Sequence, residues 1–162
     1  MNILVAYSSH TGVTRLCAES LANHMPGSTL VDLSKQRPDP SAYDIVVVGG
    51  PIRMGSLDSR VREYLDGCAT ILMKKTLGVF ICCGYDEKSG EYFESNLPDG
   101  LAEHALKASF GGKLDPEGAK GLDRFMIRLM LKSAVKNGET MAFYPERIPE
   151  FAARLIDSAS LS

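Results

Sequence analysis

The chain has 162 residues, of which 44% are hydrophobic and 23% are charged, and its formal net charge is −2. This composition is typical of one globular domain spanning residues 1–162, and it excludes a disordered, collagen-like or coiled-coil chain. The small net charge argues against a nucleic-acid partner. The apolar runs are much shorter than the roughly 20 residues that cross a bilayer, and Met1 is not followed by a secretory leader pattern. We therefore expect a cytoplasmic protein.

Apolar runs alternate with amphipathic stretches along the chain, which predicts parallel strands joined by helices. The predicted strands lie at residues 2–7, 28–33, 44–49, 76–83 and 107–111. The predicted helices lie at about 16–25, from Asp58 to Gly67, in two short pieces on either side of residues 98–100, and at 121–136 and 149–158. The pattern indicates an α/β fold without internal repeats.

The loop after the first predicted strand, Ser8–Thr14, has the residue types of an anion cradle. Hydroxyl groups at Ser9, Thr11 and Thr14 and the backbone N–H groups of a helix start can donate to a phosphate, and Gly12 permits close approach. The loop lacks the lysine of a nucleoside-triphosphate loop and the glycine spacing of dinucleotide folds. A monoester phosphate fits better. An ordinary helix-capping loop is the alternative, but the buried strand before it and the helix after it favour the phosphate site.

These residues resemble the signature of the flavodoxin family. The match consists of Val5, Tyr7, Ser9, Thr11, Gly12, Thr14, Ala18 and Leu21. The resemblance implies a flavodoxin-like, doubly wound five-stranded parallel sheet in the order 2-1-3-4-5, with helices on both faces. It also implies FMN as cofactor and electron transfer as function.

The resemblance implies flavin contacts in three loops. The phosphate would lie at Ser9, His10, Thr11, Gly12, Val13 and Thr14. The ring would lie against Pro51, Ile52, Arg53, Met54 and Gly55, and against Cys83, Gly84, Tyr85 and Asp86. The Tyr92-Phe93 pair resembles a further part of this second ring loop. Tyr85 is the candidate for stacking, because the first ring loop has no tryptophan. Arg53 would stabilise a reduced flavin or bind an acidic substrate, unless it forms a salt bridge with Asp58.

Four segments resemble the menaquinone-dependent protoporphyrinogen dehydrogenase branch of this superfamily, at residues 52–55, 111–115, 121–128 and 137–140. This branch usually has a longer, basic insertion between strands 4 and 5, whereas residues 86–103 of this chain are acidic. The resemblance implies a redox partner protein or a quinone as electron acceptor. A carrier, a dehydrogenase and a flavin-free partner-binding module all stay open.

Basic side chains recur every four residues from 120 to 136, beside an extensive apolar surface. A helix of this kind is expected to pack on its own domain and on a second copy, or to contact the inner face of a membrane. His10 either donates to the phosphate or faces solvent. His24 and His104 belong to no ligand cluster, so we predict no metal. The cysteines are expected to be reduced core residues, at Cys17, Cys68, Cys82 and Cys83.

Overall fold

The computed structural model describes residues 1–112 and 143–162. The strands are β1 (Ile3–Tyr7), β2 (Thr29–Asp32), β3 (Ile45–Arg53), β4 (Ser56–Leu57), β5 (Thr76–Cys82) and β6 (Leu106–Ser109). The helices are α1 (Val13–Asn23), α2 (Ser59–Leu72), α3 (Ser89–Asn96), α4 (Leu101–His104) and α5 (Arg147–Ser160). Short 3-10 turns lie at Pro40–Ala42 and Asp86–Lys88. The helix predicted at 121–136 lies outside the described residues.

The strands form a sheet in the order β2-β1-β3-β5-β6, and all four pairings along this path are parallel. The short strand β4 pairs antiparallel with the end of β3. Counting the parallel strands alone, this is the predicted order 2-1-3-4-5, so the predicted fold class is confirmed. The carboxyl ends of β1, β3, β5 and β6 consequently meet at one edge, which is where doubly wound folds bind ligands.

Two hydrophobic layers enclose the sheet, and alternate residues of each strand face opposite layers. In β1, Val5 and Tyr7 pack with α1 and α5, whereas Leu4 and Ala6 pack with α2 and α4. Cys82 and Cys83 likewise belong to opposite layers, as their adjacency in an extended segment predicts. Both faces of the sheet are therefore covered, which explains the continuous apolar runs in the sequence.

The structure differs from the sequence prediction at α2, which does not end at Gly67 but continues to Leu72. Gly67 is exposed, and a Cβ built there would meet nothing within 4 Å. An exposed helical glycine costs only about 1 kcal/mol relative to alanine. Burial of Leu72, which is 0% exposed, outweighs this cost and extends the helix. The predicted N-cap is confirmed, because Asp58 Oδ1 accepts a hydrogen bond from the Arg60 N–H at 3.0 Å.

Candidate functional site

A cleft of about 500 Å³ opens at the carboxyl ends of the parallel strands. It is formed by the β1–α1 loop, the β3–β4 turn, the segment after β5, and Gly112 after β6. Its walls consist of His10, Thr11, Val13, Thr14, Pro51, Ile52, Arg53, Met54, Gly55, Cys82, Cys83, Gly84, Tyr85, Tyr92 and Gly112. A depression of about 570 Å³ at the opposite edge is lined by Lys74, Lys75 and His104, among others. Only the first lies where open α/β sheets bind ligands, so it is the candidate site.

The β1–α1 loop presents the start of α1 to the cleft. Gly12 is the N-cap at φ 95°, a left-handed conformation that a residue with a Cβ adopts at a cost. Its N–H donates to Ser9 Oγ at 3.0 Å, which closes the loop. The helix has no side-chain cap and no acidic residue in its first turn. Its first N–H groups and positive dipole end are thus suited to an anion.

Two contacts join this loop to the start of α2. His10 Nε2 lies 3.4 Å from Asp58 Oδ2, and the two side chains are 45% and 5% exposed. Arg60 Nη1 donates to the buried Ser8 Oγ at 3.4 Å. The sequence left open whether His10 faces solvent and whether Asp58 pairs with Arg53. Within the described ranges, Asp58 pairs with His10, and Arg53 lines the cleft.

The β3–β4 hairpin forms a second wall of the cleft. Ile52 pairs with Leu57 across the hairpin, and the two residues at its tip, Met54 and Gly55, have φ values of 51° and 79°. Positive φ at both central residues matches the twist of a tight hairpin. The hairpin is fastened to α3 by Asn96, whose Nδ2 donates to the Gly55 carbonyl at 3.0 Å. Its Oδ1 accepts from the Leu57 N–H at 2.9 Å.

The segment after β5 forms the third wall. Tyr85 is 52% exposed, and Lys88 Nζ lies 5.5 Å from the centroid of its ring. The Cys83 Sγ contacts the Tyr85 carbonyl at 3.7 Å and lies 3.5 Å from Ser109 Oγ. Burial raises the pKa of the Cys83 thiol, so this side chain stays neutral near pH 7. We therefore assign Cys83 no nucleophilic role.

Three residues proposed from the sequence do not line the cleft. Ser9 closes the first loop, Gly12 caps α1, and Asp86 contacts Arg147 at the start of α5. The other residues proposed from the sequence lie in the cleft wall: His10, Thr11, Val13, Thr14, Pro51, Ile52, Arg53, Met54, Gly55, Cys83, Gly84 and Tyr85.

Three further residues line the cleft: Cys82, Tyr92 and Gly112. Tyr92 belongs to the Tyr-Phe pair that the resemblance assigns to the second flavin loop, whereas Cys82 and Gly112 were not proposed as flavin contacts. The Gly111-Gly112 pair follows β6 at the same sheet edge. Its position after a parallel strand was a signal in the sequence that could have identified Gly112 as a lining residue. Cys82 is the last residue of a buried strand and looks like a core residue in the sequence.

Cys17, Cys82 and Cys83 are free and buried, as expected, whereas Cys68 is half-buried. In residues 1–112 and 143–162, no three His, Cys, Asp or Glu side chains are grouped as metal ligands. No helix in those same ranges is long and apolar enough to cross a membrane.

The strand order and the position of the cleft define a doubly wound α/β protein, whose first loop is capped by Gly12 and presents the start of α1 to the cleft. A family model described as "Flavodoxin domain" matches residues 4–141, and the chain belongs to this family. No curated protein matches the chain in sequence.

Several solved structures share the fold at low sequence identity. An oxidised flavodoxin from Bacillus cereus is 16% identical with a TM-score of 0.54, and the match covers 97% of this chain and 98% of that one. A flavodoxin variant from Fusobacterium nucleatum, bound to flavin mononucleotide, is 11% identical with a TM-score of 0.53, covering 97% and 96%. The rubredoxin oxygen:oxidoreductase of Desulfovibrio gigas is 13% identical with a TM-score of 0.56. That match covers 99% of this chain but 36% of the other, so this chain spans about a third of that protein.

Proposed function

We propose that this protein binds FMN without a covalent bond in the cleft and transfers electrons. The observation that carries the proposal is the meeting of three loops at one sheet edge. The start of α1 offers N–H groups to a phosphate, and exposed Met54 and Tyr85 line the same cleft. Family membership and the FMN-containing structure from Fusobacterium nucleatum support the choice of cofactor.

Different residues of the cleft would bind the phosphate and the ring of the cofactor. Thr11 and Thr14 would donate to the phosphate together with the first N–H groups of α1. Ile52, Met54 and Tyr85 would provide apolar and aromatic surface for the ring. FMN, once bound, supplies the one- and two-electron chemistry, while these side chains orient it and limit its contact with water.

Ligand selectivity tests the assignment of the phosphate end. Calorimetric titration of the apoprotein should give tighter binding of FMN than of riboflavin, because riboflavin lacks the phosphate. FAD should bind more weakly than FMN, because the loop suits one terminal phosphate. Absence of FMN binding would favour the alternative, a flavin-free partner-binding module. Tighter binding of riboflavin than of FMN would contradict the phosphate site.

Substitution of the loop hydroxyls gives a sharper test. Thr11→Ala and Thr14→Ala each remove a donor to a charged acceptor, a bond worth about 1.5 to 3 kcal/mol. FMN affinity should fall roughly tenfold or more in each variant, and riboflavin affinity should change little. Thr70→Ala, at an exposed position of α2, is the matched control. Unchanged FMN affinity in both loop variants would contradict the proposal.

We further propose a quinone as the electron acceptor. This proposal rests on the sequence segments that resemble the protoporphyrinogen dehydrogenase branch. In that role the protein would pass electrons from a reduced substrate to a quinone, whereas a carrier would pass them to a redox partner protein. Anaerobically reduced protein should be reoxidised rapidly by a soluble menaquinone analogue in the first case and slowly in the second. Turnover of protoporphyrinogen IX then distinguishes this substrate from others.

The proposed quinone acceptor also bears on where the protein acts in the cell. A quinone acceptor would place the protein at the inner face of the membrane, and the basic residues at 120–136 would favour an anionic lipid surface. A contact with a second copy through this segment is the alternative. Co-sedimentation with anionic vesicles at low and high salt, and light scattering without vesicles, distinguish the two contacts.

A further inference from the structure

Asp86 directly follows the cleft residue Tyr85, and its carboxylate is bound by an arginine from near the end of the chain. Arg147 Nη1, at the first residue of α5, lies 2.9 Å from Asp86 Oδ1. The side chains of Asp86 and Arg147 are 22% and 37% exposed. The ion pair is therefore partly buried, and water and salt screen its charges less than they screen an open surface pair.

Further contacts fix the position of the arginine. The same Nη1 donates to the Ser109 carbonyl at 2.9 Å, and the guanidinium carbon lies 3.7 Å from the centroid of the Tyr144 ring. The hydrogen bond to Asp86 raises the pKa of Arg147, so the guanidinium stays charged. Ser109 ends β6, and its hydroxyl lies 3.5 Å from Cys83 Sγ. The segment after β5 is thus joined at two points to the end of β6.

We propose that Arg147 is a positioning residue for the flavin site: it holds the segment that carries Tyr85 through Asp86, and its charge offsets the Asp86 carboxylate beside the cleft. The inference rests on the proposed binding of FMN. Reduction adds electrons to the flavin, so a nearby carboxylate opposes it and a nearby cation favours it. The pair should therefore keep the flavin easier to reduce than the carboxylate alone would allow.

The two halves of the pair should shift the reduction potential of bound FMN in opposite directions. Asp86→Asn leaves the cation and should raise the potential, whereas Arg147→Gln leaves the carboxylate and should lower it. The double variant should lie near the wild type. Anaerobic spectroelectrochemical titration at fixed pH and ionic strength measures all of these holoproteins.

Exposed neighbours provide controls with the same change of charge. Glu87→Gln removes an acid next to Asp86, and Arg154→Gln removes a base two turns further along α5. Their shifts should be clearly smaller than those of the paired residues. Equal shifts in control and paired variants would mean that net charge alone acts, and would overturn the inference.

A role in holding the segment without any effect of the charges on the flavin gives a different result. Loss of either partner would then only loosen the segment, so both single variants would shift the potential in the same direction, or only lower the melting temperature. Either outcome overturns the inference. If Arg147→Gln does not fold, the potential of Asp86→Asn is compared with that of Glu87→Gln, and only the former should be clearly higher than the wild type. Arg147→Lys keeps the charge and should have a potential near that of the wild type.

Titration of the wild-type apoprotein with FMN separates this inference from the proposed function. If FMN does not bind, both fail. If FMN binds but the paired variants shift together or match their controls, only the role of Arg147 fails.

Discussion

Met54 combines an unfavourable backbone conformation with an exposed apolar side chain. Its φ of 51° lies in the left-handed region, and its side chain is completely exposed. A left-handed conformation costs a non-glycine residue about 1 to 2 kcal/mol, and asparagine tolerates it best. The tip of the hairpin thus carries a strained apolar side chain at the wall of the cleft, where a bound flavin ring would cover it.

Met54→Asn should separate stability from ligand binding. We expect the apoprotein to gain about 1 kcal/mol in free energy of unfolding, because the backbone strain decreases. FMN affinity should fall roughly fivefold, since about 1 kcal/mol of apolar contact is lost. Chemical denaturation and calorimetry measure the two effects. Met73→Asn is the control: Met73 is 45% exposed but has a φ of −60°, so it should show no gain. A less stable Met54→Asn apoprotein would contradict this interpretation.

At the scale of elements, the β3–β4 hairpin depends on a contact from α3. Asn96 satisfies both the Gly55 carbonyl and the Leu57 N–H, and its Nδ2 also donates to the Tyr92 carbonyl at 2.9 Å. The two antiparallel pairs of the hairpin are too few to hold it alone. One side chain therefore fixes the wall that carries Met54.

Asn96→Ala should destabilise the protein by about 1 to 3 kcal/mol, because it leaves the partly buried Leu57 N–H without a partner. It should also weaken FMN binding, since the hairpin is no longer held against α3. Asn96→Asp keeps the acceptor for the Leu57 N–H but loses the donor to Gly55, so we expect an intermediate effect on stability. Asn23→Ala, at the exposed end of α1, is the control for both denaturation and FMN titration. Equal affinity in Asn96→Ala and wild type would mean that the hairpin holds itself.

The elements themselves were largely predictable, because buried parallel strands give continuous apolar runs and the first loop is a local pattern. The first loop of the cleft followed from its position after β1, and the two loops after β3 and β5 followed from the resemblance to flavodoxins. The contacts that fasten them were not predictable, since Asn96 lies 41 residues from Gly55 and Arg147 lies 61 residues from Asp86. The extension of α2 beyond Gly67 was missed for a similar reason: tertiary burial of Leu72 outweighs the local signal.

At the scale of the whole molecule, both hydrophobic layers contain buried thiols. Cys17 Sγ and Cys82 Sγ lie 3.7 Å apart between α1 and β5, and Cys83 lies in the opposite layer. The contact with Cys82, together with burial, raises the pKa of Cys17 well above its ordinary value of 9.0. Burial also raises the pKa of Cys83. The folded protein therefore retains these protons at a pH at which the unfolded chain releases them.

This difference predicts a loss of stability in alkali. Below pH 9 both states hold the thiol protons, and the contribution of the thiols to stability is complete. As the pH rises through the unfolded value of 9.0, the folded state binds more protons, so the free energy of unfolding decreases. The decrease should reach about 1.4 kcal/mol per pH unit for each such thiol. Denaturant titrations from pH 7 to 10 under a reducing agent measure the slope.

Cys17→Ala should be less stable at pH 7 but should show a smaller slope, whereas Cys68→Ala, at a half-buried position, should change the slope less. A free energy of unfolding that stays constant from pH 8 to 10 would contradict the prediction.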